Sequence, residues 1–92
     1  MIEHIALGKN NEERKKKLAS LIRSKTINWG GYKKAKIYGL LSCKSGKRMK
    51  TANRVFFKDE QQAIGAGYRP CGACLPDKYK RWKAGVNFND DL

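Results

Sequence analysis

Two cysteines two residues apart, Cys71 and Cys74, and a third 28 positions upstream, Cys43, constrain this chain more than any other feature. A C-x-x-C spacing lets both sulfurs reach one metal ion, and Gly72 eases the turn between them. The distance from Cys43 to the pair means that a shared metal would join two remote segments across a sheet. Such a staple matters in a chain of 92 residues, whose hydrophobic core is small. Thioredoxin-type redox motifs share the spacing, but they sit in a βαβ frame that this sequence lacks. An odd cysteine count fits a reducing compartment, with the thiols reduced or on metal. Three buried thiols without metal are the plainer alternative. A four-coordinate structural site needs one more ligand. The chain offers His4, its single histidine, or Asp59, Asp77, Asp90 or a water.

Charge narrows the partners. The net charge is +13, and residues 14–58 carry fifteen Lys or Arg with no Asp or Glu. A field of that sign and size attracts polyanions, above all DNA and RNA. A solubilising surface is the bland alternative. No apolar run approaches the ~20 residues that span a bilayer, and no secretory leader pattern opens the chain. A cytoplasmic protein without a membrane partner is expected.

Local signals place the elements. Asn10 with Glu13 three residues later reads as a capping box. It opens a helix over 11–24 with Leu18, Leu21 and Ile22 on one face and bases opposite. The run NWGGY (28–32) reads as a turn because of its two glycines. Residues 26–29, 34–40 and 54–57 read as strands from their β-branched and aromatic content. Asp59 caps a short helix over 60–66 that Gly67 ends. Pro76 starts another helix, on which Tyr79 and Trp82 are three apart. Most of Trp29, Tyr38, Phe56, Phe57, Tyr68 and Trp82 are expected in the core rather than as stacking platforms for bases. The sum is an α+β domain, a short antiparallel sheet packed with helices. It divides into an N-terminal segment over 1–9, a metal-binding domain over 10–84 and a tail over 85–92.

The motifs IYGLLSC (37–43), NRVFF (53–57) and AIGAGYRPCGACLPDK (63–78) resemble the N-terminal zinc domain of the Ada DNA-repair protein family. The resemblance covers about residues 37–78 and, more loosely, the helix before them; AGYRPCGACLPD is its most specific run. It implies one structural zinc held by Cys43, Cys71 and Cys74. It also implies a family activity: irreversible methyl transfer from a DNA methylphosphotriester to a zinc-bound cysteine. That acceptor stands four residues before the match of Cys43, which here is Gly39. Glycine can neither ligate nor accept. The family's proline before Ser42 is Leu41 here, and the interval from Cys43 to Cys71 is one residue longer.

The same resemblance implies that the loop after Cys43 and the arginine of the RPC run touch the DNA backbone. The matching residues are those around Lys47 and Arg48, with Arg69; Lys44, Lys50 and Arg54 extend that cationic set. Lys33, Lys34 and Lys36 widen the face. Guanidinium groups fork onto phosphate oxygens, and lysines act as point charges. Such contacts hold a duplex without reading its sequence. The expected function is zinc-dependent binding of double-stranded DNA by a free-standing, monomeric module of the repair and transcription-regulator type, without methyl acceptance. Methyl transfer to a remaining cysteine, or an RNA- or protein-interaction role, are the alternatives.

Overall fold

The computed structural model describes residues 1–43 and 50–85. Strand β1 (Ile2–Glu3) runs into a 3-10 turn (His4–Leu7), followed by helix α1 (Asn11–Arg23). Then come β2 (Trp29–Tyr32) and β3 (Ile37–Leu40), a second 3-10 turn (Thr51–Asn53) and β4 (Arg54–Phe57). Helix α2 (Glu60–Gly65), β5 (Arg69–Pro70) and helix α3 (Pro76–Lys83) complete the order. The strands form one sheet in the order β1-β4-β2-β3-β5.

The helices start where their caps predict. Asn10 accepts from the Glu13 N–H at 2.9 Å, while the Glu13 carboxylate reaches the Lys9 N–H, one residue earlier than in an ideal capping box. Asp59 accepts from the Gln62 N–H at 2.8 Å, and Gly67 takes φ 88°, the left-handed conformation that ends α2. Pro76 occupies the first turn of α3, where no amide partner is lost.

The sheet departs from expectation in three ways. First, NWGGY is not a turn: Trp29–Tyr32 is β2, the centre of the sheet, paired antiparallel with both β3 and β4. The reversal falls at residues 33–36. Gly31 serves packing here. A Cβ on Gly31 would lie 2.9 Å from both Phe57 Cε2 and Val55 Cγ2, so only glycine lets those side chains close over the strand. Second, β3 begins at Ile37 and residues 26–28 lie outside any strand, although Ile27 is buried. Third, β5 adds to β3 in parallel, with Ile37 opposite Arg69 and Tyr38 opposite Pro70. The residues before Lys9, which carry little pattern, supply an edge strand with Ile2 opposite Phe56.

Side chains alternate across a strand, so the register sorts the two faces. One carries Tyr38, Val55 and Phe57, which pack with Ala63 of α2 and with Tyr68 as the core; Trp29, Ile64 and Leu75 close its rim. Phe57 and Tyr68 meet edge to face at 4.9 Å. Tyr38 donates its hydroxyl to Glu60 at 2.9 Å, and Lys78 pairs with the same carboxylate. Burial, together with the hydrogen bond to Glu60, raises the Tyr38 pKa.

The other face carries Gly30, Gly39, Ile37 and Arg54; His4 packs on it edge to face against Phe56 at 5.5 Å, Cys71 and Cys74 lie over Gly39, and an open groove remains between them. Helix α1 lies outside the core. None of its residues is buried, and Ile22 is 41% exposed. Of the six aromatics expected mostly in the core, Tyr38, Phe56, Phe57 and Tyr68 are buried, whereas Trp82 is 43% exposed and stacks on Tyr79 at 6.0 Å. No described helix is long and apolar enough to cross a membrane.

Candidate metal centre

Each cysteine is set by backbone hydrogen bonds around the ends of β3 and β5. Cys43 closes a turn off β3, its N–H donating to the Leu40 carbonyl at 3.1 Å. Cys71 continues β5, its N–H donating to the Tyr38 carbonyl at 2.8 Å. Cys74 follows through a tight knuckle in which the Leu75 N–H returns to the Cys71 carbonyl at 2.9 Å. The parallel β3–β5 pairing thus carries the C-x-x-C pair to Cys43. All three sulfurs lie within 4.8 Å of one another, and none is in a disulfide. The amide that reaches Cys74 comes from another strand: the Leu40 N–H donates to its sulfur at 3.4 Å.

Three converging thiols are a soft donor set that suits zinc and similar ions. The residues fit a metal. Burial, foremost, pushes the Cys74 thiol up to about 12, with hydrogen bonds to Cys43 and Cys71 adding to it and the Leu40 amide opposing it. An incoming metal therefore has a proton to displace from that thiol.

His4, Asp59 and Asp77 stand outside the cluster. His4 is on the open face against Phe56, and Asp59 is spent on its helix cap. Asp90 lies outside the described residues. Gly39 lies inside the arrangement. A Cβ on it would sit 2.6 Å from Cys74 Sγ and 3.1 Å from Cys71 Cβ. Any side chain at this position points into the thiols, and its absence lets Cys74 rest there. That packing role is invisible in the sequence, where Gly39 reads only as a lost sulfur.

The cationic residues divide. Lys44, Lys47 and Arg48 lie outside the described residues. Lys50 is exposed. Arg54 and Arg69 reach the same groove on the open face of the sheet, a space of about 380 Å³ that runs to Cys43 and Cys71. The Arg54 guanidinium sits 5.0 Å from the Phe56 ring centre, and burial lowers its pKa. Arg69 lies 5.1 Å from the Tyr79 ring and 5.4 Å from that of Trp82. Stacking on aromatic faces fixes both forks, and Arg69 is held further by one N–H that donates to the Pro70 carbonyl at 3.0 Å. Of the outlying lysines, Lys34 and Lys36 are exposed, and Lys33 pairs with Glu3.

The family model described as the metal binding domain of Ada matches residues 23–77, more than half of the chain. No curated protein and no solved structure matches.

Proposed function

Since the chain belongs to the family of the metal-binding domain of Ada, we propose that it is a zinc-stapled module that grips the phosphate backbone of double-stranded DNA without accepting a methyl group. Cys43, Cys71 and Cys74 would hold one zinc, which supplies a structural link between β3 and the segment after β5. Lys44, Lys47, Arg48, Lys50, Arg54 and Arg69 would lie along the phosphates. A cytoplasmic home suits thiols that must stay reduced.

The observation that carries this proposal is the pairing of a three-thiol cluster with a glycine whose missing side chain would point into it. Methyl acceptance needs a thiolate aimed at an electrophilic carbon. In the proposed site every sulfur is turned inward on the metal. The guanidinium groups remain, and they hold phosphate by charge-assisted, bidentate hydrogen bonds.

Two measurements test the proposal together. Incubation with duplex DNA bearing methylphosphotriesters, followed by intact-protein mass spectrometry, is expected to show no mass gain. Fluorescence anisotropy with unmodified duplexes is expected to show binding that Arg69→Ala weakens about tenfold, uniformly across sequences. A gain of one methyl group on a thiol would restore the repair activity and refute the first half. Binding unchanged in Arg69→Ala would refute the second.

A further inference from the structure

Cys43, Cys71 and Gly39 form part of the wall of the groove on the open face. Among the described residues, no His, Asp or Glu joins the three cysteines. Residues 44–49 contain none of these types, so Asp90 and Asp91 are the remaining candidates from this chain. Beside the thiols the groove is floored by bare backbone, Gly30 lying directly opposite Gly39 in the β2–β3 register. Its volume of about 380 Å³ falls in the range of small-molecule sites, roughly 300–1,000 Å³. Ile37 and the glycine backbone make it apolar, and Arg54 and Arg69 make it cationic. Neither arginine is in an ion pair among the described residues.

A metal on three thiolates is a soft acceptor, better matched by another thiolate than by a hard oxygen. We propose that the fourth donor comes from solution: the sulfur of a small thiol bearing a carboxylate, which enters along the groove and sets its carboxylate on Arg54 and Arg69. The thiol loses its proton to solvent, its sulfur lone pair completes the coordination, and nothing is oxidised or reduced. The short apolar stem lies over the glycine floor. Cys74 takes the space that a Gly39 side chain would fill, and Cys43 and Cys71 are the cysteines that face the groove. The inference rests on the reading that the three thiols hold a metal.

The full chain loaded with cobalt(II) provides the test, since sulfur-to-cobalt charge-transfer absorption scales with the number of thiolates. Mercaptoacetate is expected to raise that absorption by about one third as three thiolates become four. It should act at about tenfold lower concentration than uncharged 2-mercaptoethanol, through its carboxylate. Arg54→Ala should keep the metal-only spectrum and lose the preference between the two thiols. A three-thiolate spectrum that responds to neither thiol overturns this proposal and leaves the metal site standing. So does a spectrum that answers thiols only after Asp90→Asn and Asp91→Asn, which would assign the fourth position to the tail. Equal response to the charged and uncharged thiols overturns the role of the arginines. Absence of any charge-transfer band would overturn the metal site as well.

Discussion

Exposure to excess chelator is expected to lower the thermal midpoint of this protein by tens of degrees, more than any single core substitution. The core is small: Ile27, Tyr38, Val55, Phe56, Phe57, Ala63 and Tyr68 are the buried apolar residues among those described. Truncating one of the large ones, as in Phe57→Ala, costs roughly 3–5 kcal/mol. Structural zinc in small domains contributes apparent binding energies of about 10–16 kcal/mol near neutral pH. That is comparable to the whole stability of an ordinary domain, about 5–15 kcal/mol. The consequence here is local and then global. Strand β5 has two residues and meets β3 through two pairings, so without the metal little fixes the segment after it. Helix α3 and the Lys78–Glu60–Tyr38 chain depend on that segment. For a domain of this size each kcal/mol moves the midpoint by roughly 4–8 °C, so even about 3 kcal/mol lost gives about 12–24 °C. Circular dichroism melts with and without chelator check this. A midpoint that does not move would mean that the thiols are packing groups only.

Raising monovalent salt from 50 to 200 mM is expected to weaken duplex DNA binding by about a thousandfold, as follows from roughly six phosphate contacts and a slope of about −0.9 per contact. The six proposed contacts are Lys44, Lys47, Arg48, Lys50, Arg54 and Arg69. Their physical basis is the release of counterions that each neutralised phosphate permits. The acids available to compensate are few. Of eight in the chain, Glu3 and Glu60 are tied to Lys33 and Lys78, and Asp59 caps a helix. Binding should also be nearly independent of base sequence, because backbone contacts carry no base information. Anisotropy titrations at several salt concentrations give the slope directly. A flat, weak response would favour RNA or an acidic protein as the partner.

What was legible in the sequence was local chemistry. The starts of α1, α2 and α3 depend on Asn10, Asp59 and Pro76, whose effects act within a turn of the residue itself. The convergence of the three cysteines was legible because a C-x-x-C pair has few other uses in a chain without a βαβ frame. What was not legible depended on neighbours remote in sequence. Gly30 and Gly31 have the composition of a turn, and only the side chains of Val55 and Phe57 across the sheet explain why strand β2 needs glycine at position 31. The parallel β3–β5 pair has no composition signal at two residues in length. Trp82 has the helical spacing of a core residue, yet its partner on that face is Tyr79, and both lie beneath Arg69. That Arg54 and Arg69 line one groove with the thiols follows from the register, which sets both on the same face of the sheet with β2 and β3 between them.

Metal content per chain, by elemental analysis of the purified protein and of its Cys43→Ser variant, tests the centre of this account most directly. One equivalent of zinc in the parent, with most of it lost in the variant, is the predicted result. A parent without metal, or equal zinc in both proteins, would contradict it.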